Sequence, residues 1–162
     1  MKYIITERQY KVLTEDKERK ILRVPGLEVF GDWEGLQAYL DKKGNPLFSV
    51  SGDLYLKYTN IISLDNLVSV SGNLDLERTK IKTLENLVSV GGFLDLTATQ
   101  IKSLDNLVSV GGFLDLRNTN ITSLGNLKYV GGSLYLRGTP LRWTTTRDDI
   151  RKQVESGEII YL

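Results

Sequence analysis

The stretch from Val50 to Leu141 repeats one 20-residue pattern, and this repetition decides the fold. Its five copies read VSGDLYLKYTNIISLDNL (50–67), VSGNLDLERTKIKTLENL (70–87), VGGFLDLTATQIKSLDNL (90–107), VGGFLDLRNTNITSLGNL (110–127) and the shorter VGGSLYLRGTPL (130–141). A short fixed period is typical of a solenoid, in which each coil buries its apolar side chains by stacking on its neighbours. The sequence therefore predicts a stack of coils.

Alternating leucines within each coil predict a strand. Leu54 and Leu56, with equivalents every 20 residues, alternate with polar positions, which is the pattern of a strand with one buried face. Ile61, Leu64 and Leu67 approach the same core from the returning part of the coil. We expect a repeat solenoid with a parallel β-sheet of about five to seven strands, joined by irregular or 3₁₀ return segments.

Three further columns of residues recur at the turns of the coil. A glycine before each strand permits a turn or a close approach that a Cβ atom would block. The threonine and asparagine columns can turn inward and satisfy backbone groups that the turns leave free. For the threonine column, the alternative is an exposed ladder of hydroxyls that orders water. The members are Gly52, Gly72, Gly92, Gly112 and Gly132; Thr59, Thr79, Thr99, Thr119 and Thr139; and Asn66, Asn86, Asn106 and Asn126.

Residues 1–49 lack the repeat and predict an N-terminal helical cap, since the open end of a solenoid exposes core and strand edges. The expected elements are a strand at 3–5, a helix at 7–16, a strand at 27–29 and a helix capped by Asp32.

Residues 142–162 predict a helix–strand cap at the other end, which makes one cooperative domain of the whole chain. Thr146 precedes a helix over 147–155, Gly157 ends it, and a final strand follows at 158–162. Trp143 stands where the repeat stops, and we expect it to seal the last coil.

Composition excludes several classes of protein. Lysine and arginine number 21 against 20 acidic residues, without the basic surplus or stripe typical of nucleic-acid binding. There is no cysteine, and neither a secretory signal nor a membrane span is visible. We therefore expect a cytoplasmic, intracellular protein with no nucleic-acid or membrane partner, and virion association is left open.

The polar side of the strands is the candidate binding surface. Two features there are not explained by the fold alone: the aromatic pair Phe93 and Phe113, and the column formed by Asp75, Asp95 and Asp115. The aromatic pair is either an interaction anchor or a cross-strand packing pair. Stacked aspartates repel one another, so the column indicates a site for a cationic or hydroxyl-rich partner or a remnant of repeat duplication. The candidate residues are Tyr55, Asp75, Phe93, Asp95, Phe113, Asp115, Arg117, Tyr135 and Arg137.

Catalysis is not expected. The chain has no histidine, and no nucleophile has an identifiable adjacent base. Two carboxylates about 5 Å apart would suit sugar hydrolysis, but an open, shallow face does not exclude water. We predict no cofactor and no metal site, because a flat ladder rarely supplies enough oxygen ligands for calcium.

The L-x-L-x-x-T-x-I segment resembles the leucine-rich-repeat consensus, with threonine at the ladder position, and the full coil resembles those of receptor L domains. Two departures are the missing first consensus leucine, replaced by Ser51, Ser71, Gly91, Gly111 and Gly131, and the short period. The MKYIITE opening resembles small proteins of tailed phages. The resemblance implies macromolecular recognition through the sheet face and no chemistry.

These observations predict a non-catalytic interaction module that binds a protein partner through the sheet face. A carbohydrate-binding module is the alternative, because aromatic and acidic residues together can bind sugars. A structural or assembly component of a virion is a third interpretation.

Overall fold

The computed structural model describes residues 21–161, which form a β-solenoid of about four turns with a spacing of about 20 residues. The helices are α1 (Trp33–Lys42), α2 (Leu141–Thr144) and α3 (Arg147–Gln153), and a 3₁₀ turn spans Leu27–Val29. The strands, in chain order, are β1 (Leu22–Val24), β2 (Phe48–Val50), β3 (Leu54–Tyr55), β4 (Leu67–Val70), β5 (Leu74–Asp75), β6 (Ser89–Val90), β7 (Leu94–Asp95), β8 (Ser109–Val110), β9 (Leu114–Asp115), β10 (Tyr129–Val130), β11 (Leu134–Tyr135), β12 (Glu155–Ser156) and β13 (Ile159–Ile160).

The strands form two parallel sheets, where the sequence had indicated one. The expected sheet, here called the leucine sheet, has the order β13-β11-β9-β7-β5-β3. The second, the valine sheet, has the order β1-β2-β4-β6-β8-β10-β12. Equivalent residues of successive coils lie side by side, as in the pairs Leu74–Leu94 and Val70–Val90. Several valine strands have two residues, which is too short for alternation to reveal them in the sequence.

The core is a set of apolar columns that run along the solenoid axis. The leucines of the leucine sheet, the valines of the valine sheet and the leucines of the return segments are buried in every complete coil. The return segments of the four complete coils contain no helix, as expected, and a single parallel bridge joins Ser103 to Ser123 there. Each coil thus buries its apolar residues against the coils above and below.

Glycine lies at the bend between the two sheets because neighbouring coils approach closely there. A Cβ atom on Gly112 would lie 2.8 Å from the backbone nitrogen of Phe93 and 3.0 Å from the carbonyl carbon of Gly92. Real Cβ atoms essentially never approach another atom this closely. The expectation that this column permits close packing is confirmed for Gly72, Gly92, Gly112 and Gly132, whereas Gly52 has room for a Cβ atom.

Two other corners of the coil use left-handed backbone conformations, which cost non-glycine residues about 1–2 kcal/mol each. One corner follows the leucine strand and the other precedes the valine strand. Their φ angles are 61° at Tyr58, 55° at Arg78, 57° at Ala98, 55° at Asn118 and 73° at Gly138, and 51° at Asp65, 50° at Glu85, 48° at Asp105 and 55° at Gly125.

The threonine and asparagine columns stabilise these corners. Each threonine hydroxyl donates a hydrogen bond of 2.6–2.8 Å to the carbonyl oxygen three residues earlier, and Thr79, Thr99, Thr119 and Thr139 are buried. Each asparagine amide donates to a backbone carbonyl oxygen of the preceding coil or, for Asn66, to that of Asn45 in the N-terminal cap. The structural interpretation of both columns is confirmed, and the buried hydroxyls of Thr79, Thr99, Thr119 and Thr139 cannot form a water-ordering surface.

The N-terminal cap follows the prediction in its second half. Asp32 accepts a hydrogen bond of 2.8 Å from the backbone nitrogen of Gly35 and begins α1, which buries Trp33, Leu36 and Leu40. The strand predicted at 27–29 is wrong: a hydrogen bond from the Phe30 nitrogen to the Leu27 carbonyl oxygen closes a 3₁₀ turn that leads into α1. The strand predicted at 3–5 and the helix at 7–16 lie outside the described residues.

The C-terminal cap extends both sheets. Thr146 and Asp149 form a capping box at the start of α3. This helix ends at Gln153, earlier than predicted, because the Glu155 nitrogen donates to the carbonyl oxygen of Lys128 and starts β12. The predicted final strand is present as β13, which pairs with β11.

Trp143 does not seal the last coil, contrary to expectation. Its side chain is 78% exposed, and the Arg142 guanidinium lies over it, 4.4 Å from the ring centroid. Leu141, Ile150 and Val154 close this end of the core instead, and all three are buried.

Candidate interaction surface

The outer face of the leucine sheet brings the predicted residues into three parallel columns. The first column stands just before the strands, the second lies within them and the third follows them. Residues of the second column are register partners across four strand pairs, from β3 to β11. The columns are Asp53, Asn73, Phe93, Phe113 and Ser133; Tyr55, Asp75, Asp95, Asp115 and Tyr135; and Lys57, Glu77, Thr97, Arg117 and Arg137.

Three aromatic side chains form a continuous row across this face. The rings of Phe93 and Phe113 stack with centroids 4.7 Å apart and planes 4° from parallel. Tyr135 meets Phe113 edge-on at 6.1 Å, and the Arg117 guanidinium lies 5.5 Å from the centroid of the Tyr135 ring. All three aromatic residues are half-buried, while Arg117 and Arg137 are exposed. We call this group the aromatic row.

The aspartate column is not the exposed ladder that we expected. Asp75 is 6% exposed and Asp115 is 2% exposed, whereas Asp95 is half-buried. Each carboxylate accepts a hydrogen bond of 2.8–3.1 Å from the backbone nitrogen two residues later, which fixes the turn after the strand. This local role explains why aspartate recurs in three successive coils.

Cations balance both ends of the aspartate column. Arg117 Nε donates to both carboxylate oxygens of Asp115 at 2.9 Å. At the other end, Lys57 Nζ lies 3.5 Å from Asp75. These two aspartates are therefore engaged in the fold and are not free to bind a ligand.

Asp95 is the aspartate of this column that has no ion pair among the described residues. Burial raises the pKa of Asp95, and the charges of Asp115 and Asp75 raise it further, against the opposing effect of hydrogen bonds from Thr97. The carboxyl group thus favours its neutral form more than an ordinary aspartate does.

Within residues 21–161, one group of carboxylates comes close enough to consider a metal ion. Oxygens of Asp75, Glu77 and Asp95 lie within 4.8 Å of one another, one from each residue. Calcium takes about six to eight oxygen ligands. Asp75 and Asp95 also accept backbone hydrogen bonds there, so we assign no ion to this group.

Tyr55, at the N-terminal end of the face, belongs to a polar cluster. Its hydroxyl donates to Asp53 at 2.9 Å and accepts from the Asn73 amide at 3.3 Å, while its ring is 52% exposed overall. The Asn73 backbone nitrogen, followed by the Tyr55 hydroxyl, lowers the pKa of Asp53. Tyr55 thus lies two coils away from Phe93 and outside the aromatic row.

A cleft beside the first coil was missed by the sequence analysis. It has a volume of about 560 Å³ and lies between the start of α1 and the turn after β3. Ile61 on its wall is partly exposed, whereas Ile81, Ile101 and Ile121 in later coils are fully buried. The cleft opens because the 3₁₀ turn at 27–29 supplies no strand next to β3.

Among residues 21–161, no helix combines the length and the apolar character that crossing a bilayer requires. Comparisons of this chain with protein-family models, with curated proteins and with solved structures gave no match. The assignment as a repeat solenoid therefore rests on the coil geometry described above.

Proposed function

We propose that this chain is a non-catalytic interaction module that binds a protein partner through the aromatic row of the leucine sheet. The observation that carries the proposal is the row itself: three aromatic side chains on adjacent strands, flanked by two exposed arginines. Aromatic residues and arginine dominate the energetic centres of protein interfaces. The sequence-based likeness to leucine-rich repeats and receptor L domains agrees with recognition through a sheet, as an analogy of fold.

Part of the aromatic pair serves the fold. Rings stacked across neighbouring strands stabilise a sheet by about 0.2–1 kcal/mol, so the contact between Phe93 and Phe113 has a structural value as well. Their remaining exposed edges, together with Tyr135, form the apolar centre that a partner would cover. We place the partner-binding residues at Phe93, Phe113, Arg117, Tyr135 and Arg137.

The ring geometry favours a protein partner over a sugar. A sugar binds an aromatic residue by stacking on the face of the ring, but one face of Phe93 and one face of Phe113 lie against each other, which halves the ring surface open to a sugar. The other groups suited to sugar hydroxyls, the carboxylates of Asp75 and Asp115, are buried and hydrogen-bonded. Carbohydrate binding therefore remains the second candidate. Assembly into a virion is the third, and it is supported by the resemblance of the MKYIITE opening to small proteins of tailed phages.

The test compares capture of partners by the wild-type chain and by the double variant Phe93→Ala/Phe113→Ala. Trp143→Ala is the matched control, since it removes an exposed aromatic side chain at a different site. Proteins captured from a lysate are identified, purified and titrated against each variant by calorimetry, and circular dichroism verifies folding. We expect the double variant to bind about 30-fold or more weakly, which corresponds to a hot spot of about 2 kcal/mol.

Equal affinities of the wild-type chain and the folded double variant would refute binding through the aromatic row. Binding to a glycan array that is lost in the double variant would favour the carbohydrate alternative. Self-association of the purified chain without any ligand would favour the assembly role.

A further inference from the structure

We propose that the partner of the aromatic row is an acidic segment, which places apolar side chains on the row and carboxylates over the third column of the leucine sheet. This inference rests on the proposed function and deepens it, because it assigns a chemistry to the partner of the same surface.

Charged side chains are separated by sign across the outer face of the leucine sheet. The first column contains one charged residue, Asp53, and Glu158 extends this column onto β13 with a second exposed acid. The charged residues of the third column are Lys57, Glu77, Arg117 and Arg137. Glu77 is the acid among them, and it lies 3.7 Å from the guanidinium of Arg78, the next residue. One edge of the face is therefore basic and the opposite edge is acidic.

Arg137 carries the excess of positive charge at the basic edge. Lys57 and Arg117 each pair with an aspartate of the second column, whereas Arg137 is exposed and has no ion pair within residues 21–161. Glu158 lies on the neighbouring strand, but four residues away in register, which corresponds to about 13 Å. This separation exceeds the Debye length of about 8 Å at physiological salt, so Glu158 offsets little of the charge of Arg137.

The apolar surface beside Arg137 is longer than the three aromatic rings. Ile160 is half-buried and is the register partner of Tyr135, so it continues the second column onto β13. With the aromatic row it covers four neighbouring strands, β7, β9, β11 and β13, or about 14 Å along the solenoid axis. A helix of about ten residues, or about four extended residues, spans this distance. A short peptide is therefore long enough to cover the apolar surface and reach Arg137.

An acidic segment matches both the apolar surface and its basic edge. A carboxylate accepts two parallel hydrogen bonds from a guanidinium, and this contact becomes stronger where neighbouring apolar groups exclude water. A lysine or arginine of a partner at the same place would meet the like charges of Arg117 and Arg137, which disfavours a basic partner.

Selection from a displayed library of random peptides tests the proposal with the full chain. Peptides of about 12 residues cover the apolar surface in either conformation. They are selected on the wild-type chain and depleted on Phe93→Ala/Phe113→Ala, so that the retained peptides require the aromatic row. We expect aspartate and glutamate to be enriched over lysine and arginine in the retained peptides, relative to the unselected library.

A matched pair of variants, Arg137→Glu and Lys102→Glu, then locates the acidic contact. Both replacements reverse one exposed charge, but Lys102 lies in a return segment, away from the leucine sheet. The retained peptides are synthesised and titrated by fluorescence anisotropy, and circular dichroism verifies that both variants fold. We expect Arg137→Glu to bind about 10-fold or more weakly at low salt and Lys102→Glu to bind within about twofold of the wild type. Added salt should weaken the wild type more than Arg137→Glu.

The outcomes distinguish this inference from the proposed function. Retained peptides without an acidic excess, or equal affinities for the two charge variants, would overturn the acidic partner and leave the aromatic row as a binding surface. Selected peptides that bind Phe93→Ala/Phe113→Ala as tightly as the wild type would refute the aromatic row, and both proposals with it. A library that gives no binder would overturn the inference, because one peptide is long enough to make all the proposed contacts.

Discussion

The replacement of Asp95 by asparagine should stabilise the protein, whereas the same replacement at Asp115 should destabilise it. Asp95 lies between two other carboxylates and has no ion pair among the described residues. Asp115 accepts several hydrogen bonds from Arg117 in a buried position. The same replacement at two neighbouring positions of the column is thus expected to change the free energy of unfolding in opposite directions.

The magnitudes follow from these contacts. Carboxylates on neighbouring strands, about 4.8 Å apart, repel by about 0.9 kcal/mol in a medium as polar as water. Asp95 has two such neighbours, each partly neutralised by Lys57 or Arg117, so its removal should add about 1 kcal/mol to the free energy of unfolding. The amide oxygen can still accept the Thr97 hydrogen bond. Asp115→Asn should cost about 1.5–3 kcal/mol, the usual value of hydrogen bonds to a charged partner.

The stabilisation by Asp95→Asn should depend on pH. Because the folded state raises the pKa of Asp95, the folded chain holds this proton more tightly than the unfolded chain. The penalty of the charged carboxylate is therefore fully present above the raised pKa and is relieved as the pH falls through it. The advantage of asparagine should be largest near neutral pH and should vanish below the ordinary pKa of aspartate.

Urea unfolding followed by circular dichroism measures both variants, near neutral pH and at about pH 4. If the free energy of unfolding falls with urea concentration at the same slope in each variant as in the wild type, the free energies of the proteins can be compared directly. If Asp95→Asn destabilised the protein as much as Asp115→Asn does, the charges would be irrelevant to the column, and our account of it would be wrong.

Two further predictions concern the corners of the coil. Thr119→Val removes a buried hydroxyl that donates to the Leu116 carbonyl oxygen and should lower the free energy of unfolding by about 1–2 kcal/mol. Thr59→Val, at the exposed equivalent position, should lower it by less than about 0.5 kcal/mol. Equal losses of the two variants in urea unfolding would contradict this prediction. Gly112→Ala should cost about 1–3 kcal/mol by the same measurement, because its Cβ atom would press on the backbone of Phe93, and an unchanged stability would show that the coils can separate freely.

The repeating columns made much of the fold predictable. Six apolar positions per coil indicated the stacked core, and the position of each threonine two residues before an isoleucine, or before Leu141 in the last copy, indicated an inward hydroxyl. These features are predictable because each depends on neighbours within one coil or on the same position in the next coil.

Other features depend on backbone geometry that the residue types do not reveal. Tyr58, Arg78 and Ala98 occupy left-handed corners, although none of these residue types favours that conformation. The stacking of coils imposes the corner, and Asn118 and Gly138 in the later coils were the available hints.

The candidate site was predicted in position but not in burial. Phe93 and Phe113 lie together as expected, whereas the burial of Asp75 and Asp115 follows from carboxylates that turn back onto their own strand ends. An alternating pattern predicts which face a side chain leaves from, and it does not predict whether the side chain then folds back. Trp143 was misjudged because its place at the end of the repeat says nothing about its direction.

The even register between coils also has an evolutionary consequence. Coils 90–109 and 110–129 share the segment VGGFLDL, and the caps contact the terminal coils. Insertion or deletion of one 20-residue unit between them would keep both caps intact and would change the length of the solenoid by one strand spacing, about 4.8 Å. Unequal recombination could thereby lengthen or shorten the row of phenylalanines one ring at a time, and so adjust the span of the surface without redesigning the fold.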